Sequence, residues 1–195
     1  MDNNAVGTQT EVCATRMQQK KLTSKQSIWR LDRAHTSVEF NVKKLFFFRI
    51  KGRFKDFDGT VVLDENDTSG SSVEVTMMAK SIDTGSVTRD RQLRSAKFLN
   101  SDSYPSIRFK SLQVGPGKDR DMLSIRGELT IRDTSREVVL DVTEVDRSRS
   151  PQGDEVVYYV AETTINRFDF GVKGWRGVVG STLKVVINVQ ANRED

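Results

Sequence analysis

From Ile28 onward apolar residues recur at every second position, and this spacing constrains the fold more than any other feature of the chain. Successive side chains of a strand point to opposite faces, so a period of two builds one apolar and one polar face. Val38, Phe40 and Val42 alternate with Glu39, Asn41 and Lys43. The pattern returns at Val73, Val75, Met77 and Ala79, at Leu123, Ile125, Gly127, Leu129 and Ile131, and at Val138, Leu140 and Val142. It returns again at Val157, Tyr159, Ala161, Thr163 and Ile165, and at Leu183, Val185, Ile187 and Val189. Turn-forming clusters separate the runs, among them Asp64 to Gly70, Gly115-Pro116-Gly117 and Ser150 to Gly153. Roughly eight strands with short connections predict an all-β, antiparallel domain, either a sandwich or an up-and-down barrel. Gly52, Gly59, Gly127 and Gly171 lie in or beside these runs. Glycine there permits the tight bends that closing a sheet demands, which favours the barrel.

Thr88 to Leu99 departs from the alternation, with Leu93, Ala96 and Leu99 or Lys97 at helical spacing. Thr88 is placed to cap a short helix, Asp90 suits its positive N-terminal end, and Asn100 is placed to close it. The expectation is one short helix over a mouth of the barrel.

Residues 1–27 are rich in Gln, Thr, Asn and Lys and lack sustained periodicity, so they are read as a polar, disordered tail preceding a domain at 28–195. The 195 residues suffice for one core. The lone cysteine, Cys13, falls in the tail and precludes an intramolecular disulfide. The tail lacks the apolar run of ~7–15 residues that a secretory leader contains, so a cytoplasmic location is expected. No stretch approaches the ~18 apolar residues of a membrane-spanning helix. The run Leu45 to Phe48 is four residues long.

The formal net charge is +4. The tail supplies half of it, through Arg16, Lys20, Lys21 and Lys25 against Asp2 and Glu11, leaving the body charges of both signs and no nucleic-acid signature. His35 is the sole histidine, so no His/Cys constellation has metal-ligand spacing, and no zinc site is expected. Beside Thr36 and Ser37, His35 is read as a hydrogen-bonded structural residue rather than a general base. There is no G-x-S-x-G elbow, and Gly171 to Gly177 lacks a phosphate-loop ending. No catalytic residue, metal or cofactor is therefore assigned.

Large apolar residues are abundant on the strand faces: Phe40, Phe54, Phe57, Met77, Ile82, Phe109, Phe168 and Phe170. In a small barrel such residues either fill the interior or line a tunnel for an apolar ligand, and period alone favours filling. Arg89, Asp90, Arg94, Arg167 and Asp169 flank these segments. They are read either as surface ion pairs or as a polar collar for a ligand headgroup.

Several strings together carry a family pattern. Trp29-Arg30-Leu31-Asp32-Arg33-Ala34-His35-Thr36-Ser37-Val38-Glu39-Phe40 resembles the W-x-L-D-x-x-H-[ST]-x-[VI]-x-F opening of the YceI-like family. Ser81 to Gly85 with Arg89-Asp90 and Leu93, Phe98-Leu99 with Tyr104 to Ser111, Gly127 to Arg136, and Ile165-Asn166-Arg167-Phe168-Asp169-Phe170-Gly171 follow in family order. The resemblance spans Trp29 to Val189. Lys44 and Gln92 stand where many members carry His.

That resemblance implies a lipocalin-like barrel whose apolar tunnel holds a polyisoprenoid, quinone tail or fatty-acyl lipid. On that reading the lining residues are Phe40, Phe54, Phe57, Met77, Ile82, Phe98, Phe109, Leu129, Phe168, Phe170 and Trp175. Headgroup or rim candidates are His35, Asp83, Arg89, Asp90, Arg94, Arg167 and Asp169, and the lids are residues 88–99 and 171–180. Expected partners are the lipid, a membrane contacted transiently during exchange, and a second copy in a homodimer. Two alternatives stay open: an isomerase or hydrolase using His35, Asp83 or Asp169, and a filled barrel serving as an interaction module.

Overall fold

The computed structural model describes residues 26–45, 47–151 and 153–194. The tail expected at the N-terminus, with Cys13, falls almost wholly outside the described residues. The alternating runs form β1 (Gln26–Leu31), β2 (Ser37–Lys44), β3 (Phe48–Phe54), β4 (Phe57–Asp64), β5 (Ser72–Met78) and β6 (Ile82–Asp83). They continue as β7 (Ser106–Pro116), β8 (Met122–Ile131), β9 (Thr134–Arg149), β10 (Glu155–Asn166) and β11 (Val179–Glu194). A helix, α1 (Val87–Arg94), lies between β6 and β7.

Every pairing is antiparallel, and the eleven segments reduce to eight staves. β1 and β2 both run along β11, interrupted only by the turn at 32–36. β4 and β3 lie beside β1 and β2 in the same order, interrupted at Lys55 and Asp56. β5 and β6 continue one another past the short 3-10 turn Ala79–Ser81, pairing with β4 and β3. Five further pairings carry the meander from β5 through β7, β8, β9 and β10 to β11. Pairing of β1 with β11, Ile28 opposite Glu194 to Leu31 opposite Ala191, closes the ring. The chain is an eight-stave up-and-down barrel with one helix, and closure removes the free edges that a sandwich would keep.

Two bulges shift which residues face inward. In β7 Leu112 is the extra residue, so Ile107 and Phe109 face in before it and Val114 after it. In β9 Val145 is the extra residue: Glu144 lies opposite Tyr159, and Arg147 opposite Val157. Both therefore point to the interior, while Leu112 and Val145 are thrown out to solvent.

Gly171 takes the left-handed φ of 71° that a bend requires, whereas Gly52 and Gly127 serve another purpose. A methyl at Gly52 would overlap the Phe40 ring, and one at Gly127 the Phe109 ring. These positions seat an aromatic ring from the neighbouring stave, and the missing side chain lets the ring lie against the wall.

The helix is shorter than Thr88 to Leu99. It starts after Ser86 and stops at Ser95, whose hydroxyl donates to the Gln92 carbonyl at 2.7 Å and competes with further helical turns. Turns complete the segment: the Leu99 N–H donates to the Leu93 carbonyl at 3.0 Å, and Asn100 takes a left-handed φ of 48°. Asp90 sits in the first turn as expected, but its carboxylate faces back, accepting from the Thr84 N–H at 3.0 Å and the Thr84 hydroxyl at 2.5 Å.

Candidate functional site

The interior of the barrel is hollow. A cavity of about 750 Å³ runs between the walls, inside the roughly 300–1,000 Å³ range of ligand pockets. Its walls are lined by inward rows of several staves, including Val61, Leu63, Val73, Val75, Leu140, Leu183, Val185 and Ile187. Val61, Leu63, Val73, Val75, Leu183, Val185 and Ile187 face inward yet stay only half-buried. In a filled core their side chains would meet partners across the barrel, as interiors pack to crystal-like density. A cavity of this size argues against the filled-barrel alternative.

At the α1 end the lumen is closed by side chains rather than by sheet. Phe98 and Trp175 meet edge to face with ring centroids 5.1 Å apart, and Leu93 and Arg89 reach the lumen from α1. Arg89 is fixed to Thr84, donating to its hydroxyl and its carbonyl, each at 2.7 Å. Arg167 is 5% exposed and donates to four carbonyls: Gly180 and Val172 at 2.8 Å, Gly174 at 2.7 Å and Val179 at 3.0 Å. Burial holds its guanidinium below the ordinary arginine range. This fork ties the 3-10 turn Arg167–Phe170 to the start of β11 and leaves little donor capacity for a headgroup.

The other end is rimmed by exposed polar residues from three hairpins: Glu65, Thr68, Arg120, Asp121, Glu144, Asp146 and Arg147. Glu144 accepts from the Tyr159 hydroxyl at 2.7 Å and pairs with Arg147 at 3.3 Å. Burial pushes the Glu144 carboxyl up, but these two donors outweigh it and hold the group below its usual range. Burial, and then the Glu144 carboxylate, raises the Tyr159 phenol. The Arg147 guanidinium also lies 5.8 Å from the Trp29 ring, whose N–H donates to the Ser27 hydroxyl at 2.8 Å. The Val145 bulge brings Glu144 and Arg147 onto the lumen rim together.

Among the lining residues read from sequence, Phe40, Phe54, Met77, Ile82, Phe98, Phe109, Leu129 and Trp175 do line the lumen. Three do not. Phe57 is packed into the wall of the core. Phe168 and Phe170 fall in the 3-10 turn, where period two no longer applies: Phe170 is buried beneath it, and Phe168 carries the guanidinium of Arg167 at 4.6 Å and of Arg176 at 5.1 Å. Of the rim candidates only Arg89 and Arg167 reach the lumen. His35 is exposed, its Nδ1 2.8 Å from Asp32, and that contact lowers the Asp32 carboxyl. Asp83 lies outside, salt-bridged to Lys55 at 2.9 Å and Arg53 at 3.4 Å, and Lys55 foremost holds its carboxyl down at about 2. Asp90 is tied to Thr84, Arg94 donates to the Ile82 carbonyl at 3.0 Å, and Asp169 is exposed on the outer wall. Among the described residues no cluster of His, Cys, Asp and Glu is placed to hold a metal ion.

The aliphatic rows of β4, β5 and β11 and the Glu144–Tyr159–Arg147 group were missed as site residues. The rows of β5 and β11 were already visible in the alternation, whereas that of β4 was not read; the mouth group depends on a bulge that the sequence does not mark.

A closed up-and-down barrel with an apolar lumen and a polar mouth defines a protein built around an internal compartment. Residues 29–191 match the family model of the YceI-like domain. The chain is 35% identical over 156 residues to protein YceI of Shigella flexneri, covering 80% of this chain and 81% of that one. The chain belongs to the YceI-like family. Its backbone is similar to that of Burkholderia cenocepacia BcnA, with a TM-score of 0.74 at 21% identity over 82% of this chain and 98% of that one. It is also similar to a polyisoprenoid binding domain from Saccharophagus degradans, with a TM-score of 0.64 at 13% identity over 85% and 98% of the two chains.

Proposed function

We propose that this protein binds and carries a long apolar lipid tail, a polyisoprenoid, quinone tail or fatty-acyl chain, within the barrel. The carrying observation is the half-buried state of the inward aliphatic rows around a lumen of about 750 Å³. Apolar surface left bare inside a fold forfeits about 25 cal/mol per Å², which a matching hydrocarbon would restore without any catalytic group. The name of the Saccharophagus degradans domain points the same way. A catalytic reading loses its residues, since His35, Asp83 and Asp169 do not line the lumen.

The test is mass spectrometry of an organic extract from gently purified protein, set against an unrelated protein from the same cells. An enriched long-chain species that rebinds after delipidation is the expected result. A blank extract together with failure of added isoprenoids and fatty acids to bind would refute the proposal.

A further inference from the structure

The hairpin joining β2 to β3 ends in Phe47, the most exposed large apolar side chain of the described residues, and groups further exposed apolar side chains around it. Phe47 is 90% and Phe48 66% exposed, and Leu45 and Val178 beside them are also exposed. The Leu45 N–H donates to the Val178 carbonyl at 3.0 Å, which fixes the tip against the loop leading into β11. Exposed aromatic residues grouped at one tip mark an interaction site.

Charge identifies the partner. Between Glu39 and Asp56 the sequence has six basic residues, Lys43, Lys44, Arg49, Lys51, Arg53 and Lys55, and no acidic one. These outnumber the +4 of the whole chain, so the evenly mixed body expected from composition is in fact a slightly acidic barrel with one cationic hairpin. Lys43 stands directly opposite Arg49, and Asn41 opposite Lys51. Like charges placed across a strand pair destabilise a hairpin in isolation. Asp83 answers Arg53 and Lys55, whereas Lys43, Arg49 and Lys51 make no ion pair among the described residues. Lys173 and Arg176 extend the cationic surface on the neighbouring loop, both exposed. Apolar side chains at the apex with unpaired cations just behind them match a bilayer edge, where rings enter the acyl boundary and cations meet anionic headgroups.

We infer that the β2–β3 hairpin docks this protein on an anionic lipid bilayer, with Phe47 and Phe48 inserted and Lys43, Arg49 and Lys51 on the headgroups. This rests on the carrier reading for its purpose, because Ile50, two residues beyond Phe48, lines the lumen. The tip thus adjoins the end closed by Phe98, Trp175 and α1, where side chains rather than strand hydrogen bonds form the barrier. Docking there places the removable end of the compartment at the source of the cargo.

The experiment is flotation of the full chain with vesicles of phosphatidylcholine alone and of phosphatidylcholine mixed with phosphatidylglycerol, at low and high salt. Binding to the mixed vesicles that weakens with salt is expected. Phe47→Ser/Phe48→Ser and Lys43→Glu/Arg49→Glu should each lower partitioning by about tenfold or more, with circular dichroism and melting unchanged because these side chains are exposed. A Phe47→Trp variant should be quenched by brominated acyl chains. Absence of binding to the mixed vesicles, or equal binding by the variants, would overturn the inference. So would a change of oligomeric state with the Phe47→Ser/Phe48→Ser substitution and no change in vesicle binding, which would assign the tip to a second copy. Organic extraction of the same samples reads the lumen separately: docking with an empty lumen sustains this inference against the carrier reading, and a loaded lumen without docking does the reverse.

Discussion

Replacing Val185 by Phe distinguishes a hollow barrel from a packed one by the sign of its effect on stability. Val185 lies in β11, opposite Phe40 of β2 and Thr163 of β10, facing the lumen yet only half-buried. In a packed interior the extra ring would force off-rotamer side chains and backbone shifts, costing about 1–3 kcal/mol. In the cavity it meets empty space. It then buries roughly 50 Å² more apolar surface, a gain of about 1 kcal/mol at about 25 cal/mol per Å². For a domain of this size, about 1 kcal/mol moves the melting temperature by about 2–4 °C, so the delipidated variant should melt that much higher than the delipidated parent. The added ring also takes volume from a lumen of about 750 Å³, so the stabilisation conferred by a saturating long-chain lipid should be smaller in the variant. Differential scanning calorimetry with and without lipid measures both effects. A melting temperature lowered by several degrees, with lipid-induced stabilisation unchanged, would refute the reasoning.

Two further perturbations probe the ends of the barrel. Arg167→Lys keeps the charge but loses the planar fork that serves four carbonyls, and should destabilise by at least about 2 kcal/mol in urea unfolding. Asp83→Asn removes a carboxyl whose folded pKa, about 2, lies below its unfolded value; such a group adds stability that is complete above the unfolded pKa and is lost as pH falls through the folded one. The parent should therefore lose more denaturation midpoint than the variant on acidification from about pH 5 to about pH 2, as a pH series of urea melts would show.

The fold was legible because inward positions are apolar on nearly every strand, whether they pack into the wall or border the lumen. Where the chain leaves that regime, legibility ends. Phe168 and Phe170 are two apart but fall out of phase with the inward Ala161, Thr163 and Ile165 of β10; the Asn166 side chain accepts from the Phe168 N–H at 3.1 Å and turns the backbone into a 3-10 turn, so neither ring reaches the lumen. Glu144 and Arg147, three apart, would fall on opposite faces of a regular strand, and only the Val145 bulge directs both to the mouth. Ring size misled in the same way: Phe57 is a wall residue, while smaller Val75 and Val185 bound the cavity. What decides between filling and lining is the distance across the ring, a property of closure that no single strand encodes. Gly52 and Gly127 show how local the decision is, since a methyl at either would displace a phenyl ring from its seat.

The seam between β1 and β11 bears on how the molecule is made. Every other stave pairs with a neighbour in sequence, so hairpins form in order as the chain emerges, while the ring stays open until β11 arrives. β11 touches β10, β1 and β2, and is therefore the keystone. Until it docks, β1 and β2 present bare backbone groups to any passing strand, the most distant pairing in sequence being the last to form. Lys43 and Lys44 on that waiting edge discourage stray pairing, so the charges of the hairpin also guard the nascent barrel against joining with its copies.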